Sequence, residues 1–152
     1  MHVKGNLNLA PDGYGWASGG YIADSRIDGT VQPYSQQQWY TRDSSVGGWL
    51  NGVWNMVFSG VEGAPAQSFP DPAYTTLRTT PVSREKPFLY LDGAEYKVFL
   101  PALRTDARGT TWGSGTPKGT SLPLSRFYVV KPGATAAVIT RGRPGAASAV
   151  HP

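Results

Sequence analysis

Hydrophobic residues occur along this chain in short runs that alternate with polar residues and stop at glycine or proline. The runs are rich in Val, Ile, Tyr, Phe and Thr, the residue types that favour β-strands. No window of helical length keeps the apolar spacing of an amphipathic helix. The pattern therefore predicts an all-β fold built from many short strands.

A weak internal repeat divides the first part of the chain. Segment 23–29 resembles segment 57–63, with 39–43 between them and 5–9 before them, at steps of about 16 to 18 residues. Such a repeat is typical of stacked β-helix coils, because one coil cannot bury its own apolar face. The repeat alone also fits an ordinary antiparallel sheet. In a β-helix, six apolar residues are expected to point inward: Leu7, Leu9, Ile22, Ile27, Val57 and Val61.

The texture changes after Gly63. Residues 64–72 hold three prolines and predict a loop. Two apolar runs, 88–91 and 96–100, then flank an Asp92-Gly93-Ala94-Glu95 turn. Asp-Gly between two such runs is a strong signal for an antiparallel hairpin.

The last third of the chain gives weaker signals. Residues 105–119 are rich in Gly and Thr and predict a loop, whereas 122–130 predict one more strand. The tail, 134–152, has neither helical nor strand periodicity. We interpret it as disordered or merely appended.

Composition and charge exclude several kinds of site. The chain has no cysteine, which removes disulfides and thiolate chemistry. Its net charge is +4, and residues 97–152 carry eight Lys or Arg against one acidic residue, Asp106. These cations are scattered and no nucleic-acid motif surrounds them, so we predict no nucleic-acid partner. His2 and His151 lie at opposite ends, so we predict no metal and no cofactor. No apolar run is long enough for a membrane span, and residues 1–7 alternate like a strand rather than a signal peptide.

Four strings of the chain carry a resemblance to a known group of proteins. The strings are Gly19–Ser25, Ser35–Ser44, Gly52–Val61 and Thr80–Tyr90. On these strings the chain resembles the middle of large, secreted actinobacterial β-helix proteins, similar to the exo-β-1,3-glucanases of glycoside hydrolase family 55. The likeness extends over about residues 1–135. It implies a right-handed parallel β-helix, an extracellular location and a polysaccharide partner.

The resemblance also implies a division of the chain. In such proteins two β-helices lie side by side and bind glycan in the cleft between them. We expect β-helix coils in 1–63, a crossing loop and hairpin in 64–121, and the first strand of a second β-helix in 122–133. Residues 134–152 then form a disordered or aberrant tail, as a truncated or frameshifted reading frame would produce.

The expected function is that of a partial glycoside hydrolase-like protein that acts on or binds β-1,3-glucan. The general acid of the group comes from the second helix, and no residue here matches it. The catalytic residues are therefore unknown, and we expect the chain alone to be inactive. Two alternatives remain: a non-catalytic carbohydrate-binding or structural domain with Trp16, Trp39, Trp54 and nearby tyrosines as stacking platforms, or an inactive truncated remnant. Self-association through exposed β-helix ends is a further expectation.

Five residues are candidates for contact with a sugar. Gln36 and Gln38 would share one face of a strand, where amides hydrogen-bond sugar hydroxyls or hold a water. Trp39 and Trp54 could stack on a sugar ring, and Arg42 could add hydrogen bonds. A polar ladder with a buried tryptophan is the structural alternative. In Arg42-Asp43 and Arg84-Glu85, adjacent strand residues point to opposite faces, which favours salt bridges to other partners. Glu62 is expected to be a solvated corner residue.

Overall fold

The computed structural model describes residues 1–10, 18–50 and 52–141. Within these ranges no α-helix begins before Ala136, which confirms the all-β prediction. The strands are β1 (His2–Val3), β2 (Leu7–Asn8), β3 (Gly20–Ala23), β4 (Arg26–Gln32), β5 (Trp39–Arg42), β6 (Ser45–Trp49), β7 (Met56–Ser59), β8 (Tyr74–Leu77), β9 (Thr80–Ser83), β10 (Phe88–Asp92), β11 (Glu95–Pro101), β12 (Arg104–Ala107) and β13 (Gly119–Pro123).

The first eight strands form the coils of a parallel β-helix. One sheet has the order β3-β5-β7-β8, with all three pairings parallel. In the other sheet, β4 pairs in parallel with β1, β2 and β6. Paired residues of the first sheet are 19, 17 and 18 positions apart, as in Tyr21, Tyr40, Val57 and Thr75. The predicted β-helix is confirmed, and its parallel pairing continues past Gly63 to Leu77.

Each coil turns from one sheet to the other at a residue with positive φ. Asp24, Asp43 and Gly60 follow β3, β5 and β7, with φ values of 45°, 46° and 62°. Aspartate and glycine enter this left-handed region more readily than most residues. Each of the three N–H groups donates to a carbonyl of the next coil: those of Arg42, Ser59 and Leu77. The corners are therefore hydrogen-bonded from coil to coil.

The core lies between the two parallel sheets. Its buried residues are Ile22, Ile27, Val31, Val46, Trp49, Met56, Phe58 and Val61, and Leu7 and Leu9 pack against them. Five of the six predicted inward residues are thus in or against the core. Val57 is wrong, because β7 points Met56 and Phe58 inward and leaves Val57 on the outer face. The repeat was also misaligned by two residues, since Ala23 aligns with Ser59 and not with Val57.

The remaining strands are antiparallel. Strands β10 and β11 form a hairpin with Phe88 opposite Phe99 and Asp92 opposite Glu95, which confirms the hairpin predicted at Asp92-Gly93. Strand β13 joins β11, and β12 pairs with β9. The predicted strand at 122–130 is wrong. Strand β13 ends at Pro123, and a 3-10 turn follows at Leu124–Arg126 because the chain changes direction after that proline. The loop predicted at 105–119 begins later, since β12 extends to Ala107.

The last described element is a short helix, α1 (Ala136–Arg141). It corrects the prediction that residues from 134 onwards lack regular structure, since Ala136-Ala137 and Ile139 permit one helical turn and a half. The rest of the predicted tail, 142–152, lies outside the described residues.

Contacts divide the chain into two compact units. The first comprises Met1–Lys86 and Pro101–Lys118, and the second comprises Pro87–Leu100 and the chain from Gly119 onwards. The first holds the β-helix coils and the β9–β12 pair, and the second holds the hairpin with β13. The division into 1–63, 64–121, 122–133 and 134–152 remains a proposal.

Candidate functional site

A shallow groove of about 360 Å³ lies at the amino-terminal ends of β3, β5 and β7. Gln38 and Asn55 bring side-chain amides to it, and Tyr40 brings an aromatic ring. We call it the Gln38 groove. Its lining holds no carboxylate or cationic side chain among the residues that the structure describes. The lining residues are Ser18, Gly20, Gln38, Trp39, Tyr40, Asn55 and Val57.

The stacking of coils brings the two amides together. Gln38 precedes Trp39 and Asn55 precedes Met56, and Trp39 is paired with Met56 across β5 and β7. The Trp39 N–H donates to the Asn55 carbonyl at 3.3 Å, and the Gly20 N–H donates to the Gln38 carbonyl at 2.9 Å. These backbone bonds fix both residues at the groove. No described residue forms a side-chain hydrogen bond with either amide, so both remain available to a ligand.

An aromatic strip continues from the groove along the outer face of the same sheet. Tyr21 and Tyr40 are paired residues of β3 and β5, and their ring centroids are 5.6 Å apart at 41°. The exposed fractions are 54% for Tyr21 and 38% for Tyr40. Tyrosine rings of this kind offer an apolar face with a hydroxyl at its edge, which suits the mixed surface of a sugar.

The two predicted glutamines do not act as a pair. Gln36 is buried, with its N–H donated to the Pro33 carbonyl at 3.0 Å, whereas Gln38 is exposed. Both precede β5, which begins at Trp39, so the strand geometry that would place them on one face does not apply. The prediction that Gln36 and Gln38 share one face of a strand was therefore wrong. Of the two, Gln38 lines the groove and Gln36 does not.

The tryptophans also occupy different environments. The Trp39 ring packs against the core and crosses Gly20, where an added Cβ would lie 2.6 Å from the ring. Its buried Nε1 has no hydrogen-bond partner in the described part of the chain. Trp54 is 56% exposed but does not line the groove. Trp16 lies outside the described residues. Stacking of these rings on sugar stays a prediction. The environment of Trp39 fits the structural alternative, in which a buried tryptophan stabilises neighbouring coils.

Arg42 is the centre of a polar network on the outer face of β5. Its Nη1 and Nη2 donate to the two oxygens of Glu85 at 2.7 and 3.1 Å, and its Nε donates to the Tyr21 hydroxyl at 2.8 Å. Burial disfavours the charged guanidinium, but the hydrogen bonds with Glu85 and Tyr21 outweigh it and raise the pKa of Arg42. The predicted salt bridge to a distant partner is confirmed for Arg42. Arg84 forms no ion pair with the residues described.

Arg42 also bonds its neighbour, contrary to the prediction that the two point to opposite faces. Its Nη1 lies 2.6 Å from Oδ2 of Asp43. Strand alternation fails here because Asp43 is the corner residue with positive φ and lies beyond the end of β5. Asp43 is fully buried, and its Oδ1 has no hydrogen-bond partner among the described residues. The Glu85 carboxylate is therefore committed to Arg42, and that of Asp43 is shared between Arg42 and, at 4.0 Å, Nη1 of Arg104.

The other acidic and histidine residues that the structure describes do not cluster into a further site. Glu62 is exposed at its corner, as predicted. His2 bonds Asp28 at 2.9 Å, and His151 lies outside the described residues. Within the described ranges, no group of three or more His, Asp or Glu side chains could hold a metal ion. None of the helices described there has the length and hydrophobicity required to cross a membrane.

Comparison with known proteins shows which proteins this chain is similar to. No protein-family model matches the chain. An exo-β-1,3-glucanase of Streptomyces sp. (strain SirexAA-E / ActE) is 84% identical over 139 residues. The chain resembles a section of that glucanase. The match covers 91% of this chain and 23% of the glucanase, so the chain spans about a quarter of its relative's length.

Solved structures agree with this match. The structure of sacteLam55A from Streptomyces sp. SirexAA-E has 82% identity and a TM-score of 0.90, over 93% of this chain and 26% of that one. A variant of the same protein in complex with glucose matches with the same values. The resemblance predicted from four sequence strings is confirmed, and so is the β-helix architecture that it implied.

Sequence reasoning missed Asn55 as a neighbour of Gln38, and it did not single out Tyr40 and Tyr21 among the tyrosines near the tryptophans. Asn55 lies 17 residues after Gln38, which is the spacing between β5 and β7. A correct coil register would have identified it. The Glu85 partner of Arg42 is 43 residues away, in the irregular segment that follows β9, so no spacing rule indicates it.

Proposed function

We propose that this chain is part of a glycoside hydrolase-like β-helix protein that acts on or binds β-1,3-glucan. The observation that carries the proposal is the 84% identity to an exo-β-1,3-glucanase over 91% of the chain. The activity of the whole relative is therefore the best guide to the ligand of this section.

The contribution that we propose for the described residues is binding. Gln38 and Asn55 each offer a donor and an acceptor at the groove, which suits the hydroxyls of a sugar. Tyr40 and Tyr21 offer ring surface beside them for the apolar face of a glucose unit. A groove of about 360 Å³ is at the small end of the range for ligand sites and suits one or two sugar units.

Hydrolysis requires chemistry that these groove residues do not supply. A glycosidase needs a carboxylic acid at the leaving oxygen and a second carboxylate that acts as base or nucleophile. The described lining of the Gln38 groove contains neither. The nearest carboxylates along β5 and its partners, Asp43 and Glu85, are held by Arg42 as ion pairs. General acid catalysis is worth about 10²- to 10⁴-fold, so we expect this chain by itself to bind without turnover.

A pair of measurements on the purified chain tests the proposal. Laminarin, a soluble β-1,3-glucan, is presented immobilised in a pull-down and free in a glucose-release assay. Retention on laminarin without glucose release supports binding alone. Glucose release would mean that a carboxylate of this chain acts as the acid, and absence of both would favour the inactive remnant. Cellulose, which has β-1,4 linkages, is the control for linkage.

Two further properties belong to this proposal. We propose that the protein acts outside the cell, because a glucan polymer is its expected substrate. We also propose that the chain self-associates through the exposed ends of its stacked coils, since an unpaired strand edge can pair with another chain. Light scattering of the purified chain checks the latter, and a monomer at all concentrations would contradict it.

A further inference from the structure

A second groove lies in the segment that follows the hairpin. It has a volume of about 660 Å³ and is lined by residues of 101–118, all within the first unit. Three of its lining residues are cationic (Arg104, Arg108 and Lys118), and one, Asp106, is anionic. We call it the Arg108 groove. We propose that it binds a small oxyanion: the carboxylate of an acidic sugar, or a free phosphate.

Two of the three cations of this groove are not held by a carboxylate of the described residues. Arg26 and Arg42 are engaged by carboxylates at 2.6 to 2.7 Å. Arg108 and Lys118, in contrast, form no ion pair with any residue that the structure describes. Two cations without ion pairs on one concave surface raise the local positive potential, because field lines are focused in a cleft. Arg108 and Lys118 are therefore available to bind an anionic ligand.

Arg104 serves a different purpose in the same groove. Its Nη1 and Nη2 each donate to the Gly109 carbonyl at 3.2 Å, and Nη2 donates to the Arg108 carbonyl at 2.9 Å. These bonds fold the chain after β12 back over that strand. Arg104 thus fixes the backbone from which Arg108 projects, and its own charge is partly balanced by Asp43, whose Oδ2 lies 4.0 Å from Arg104 Nη1.

The other wall of the groove is anchored to a coil corner. The Thr111 N–H and hydroxyl donate to the two oxygens of Asp24 at 2.6 and 2.8 Å. The Trp112 Nε1–H donates to the Asp24 carbonyl at 3.1 Å. A loop held at both ends keeps its shape before a ligand arrives, so little ordering cost is incurred on binding.

The remaining lining residues favour a carboxylate or phosphate group that belongs to a polar molecule such as a sugar. Besides the cations, the groove presents hydroxyl side chains from Thr105, Thr110, Ser114 and Thr116. Hydroxyl donors and cations are the usual partners of carboxylate and phosphate oxygens. A volume of about 660 Å³ is large enough for several sugar units. The groove shares no residue with the Gln38 groove, so this inference does not depend on the proposed function.

Titrations of the whole ¹⁵N-labelled chain at low salt test the inference. The probes are inorganic phosphate, a β-linked glucuronic acid trisaccharide and neutral laminaritriose. We expect phosphate, the glucuronate or both to shift amide signals of 101–118, and laminaritriose to leave them unchanged. Binding of phosphate alone identifies a free anion, whereas binding of the glucuronate identifies an acidic glycan. Raising the salt should weaken either interaction.

Charge-matched variants distinguish an anion site at the Arg108 groove from non-specific attraction of anions by the net positive charge of the chain. Arg108→Gln with Lys118→Gln should weaken binding about tenfold, because two charge-assisted contacts are lost. Lys4→Gln with Arg126→Gln removes the same charge at exposed positions outside the groove and should change little. Asp106→Asn should tighten binding a few-fold, since it removes the repulsive carboxylate of the groove lining. Equal losses in both double variants, no anion binding, or equal binding of laminaritriose would overturn the inference.

Discussion

Arg42 and Glu85 form a two-pronged ion pair in which Nη1–Oε1 is 2.7 Å and Nη2–Oε2 is 3.1 Å. Only 12% of the Arg42 side chain and 13% of the Glu85 side chain are exposed. The pair joins the second coil of the β3-β5-β7-β8 sheet to the segment that follows β9. It therefore attaches the non-repetitive part of the first unit to the β-helix.

We expect Glu85→Gln to lower the free energy of unfolding by about 2 kcal/mol. The change keeps the shape of the side chain but leaves a largely buried guanidinium with Asp43 as its remaining carboxylate partner. Urea unfolding followed by tryptophan fluorescence measures the loss. Arg26→Gln is the control, because its bond to Asp28 is exposed and should matter far less. A loss for Glu85→Gln no larger than for Arg26→Gln would show that the pair contributes little.

A second stability prediction concerns Thr41, which lies in the interior ladder between Ile22 and Phe58. The residue is fully buried, and its hydroxyl has no partner in the described part of the chain. Thr41→Val keeps the branched shape and removes the unsatisfied hydroxyl, so we expect about 1 kcal/mol of added stability. Thr75→Val, at an outward position of the same sheet, should be near neutral. Destabilisation by Thr41→Val would indicate that the hydroxyl is satisfied by a buried water.

The sequence could predict some features of the fold and not others. The Asp92-Gly93 turn between two apolar runs is a local signal, and the hairpin that it predicts was confirmed. The inward position of Val57 was wrong because Met56-Val57-Phe58 is apolar throughout and carries no alternation to set its phase. Thr41 and Asp43 are polar residues in the interior, so a hydrophobic pattern cannot identify them. The Arg42–Glu85 pair depends on how the irregular segment folds back, which no period encodes.

Gly60 should tolerate alanine much less well than Gly109. The two have nearly the same φ, 62° and 63°, so alanine meets the same left-handed penalty of about 1 kcal/mol at both. At Gly60 the new Cβ would also collide with the Ala107 carbonyl and lie 2.8 Å from Asp43 Oδ1. At Gly109 it would lie 3.0 Å from the exposed Glu62 carboxylate, which can move. We expect losses of about 3 and about 1 kcal/mol in urea unfolding. Equal losses would mean that the corner can relax.

The carboxyl of Asp28 should titrate at lower pH than an ordinary aspartate. Hydrogen bonds from Arg26 and the His2 ring lower its pKa from the usual 3.8. A lowered folded-state pKa stabilises the fold above pH 3.8, and the contribution is lost as the pH falls through the folded-state value. NMR titration of the Asp28 carboxyl should give a midpoint below 3.8, and Arg26→Gln should move it back towards 3.8. An unchanged midpoint in Arg26→Gln would contradict this cause, with Lys4→Gln as the control for net charge.

The last prediction concerns binding at the Gln38 groove. Gln38→Ala removes the exposed amide, and Tyr40→Ala removes the ring beside it; each should weaken laminarin binding several-fold. A neutral hydrogen bond and an aromatic contact are each worth about 1 kcal/mol. Isothermal titration with laminarin oligosaccharides measures the change.

The controls come from residues of the same types that do not line the groove: Gln37→Ala and Tyr96→Ala. Gln36→Ala separates the two glutamines, because a buried residue should affect stability rather than affinity. Trp54→Ala shows whether the glucan extends past the groove to the exposed indole. If Gln37→Ala weakens binding as much as Gln38→Ala, the amide at the groove is not the contact. If Tyr96→Ala matches Tyr40→Ala, the glucan binds elsewhere, because these two rings lie in different units of the chain.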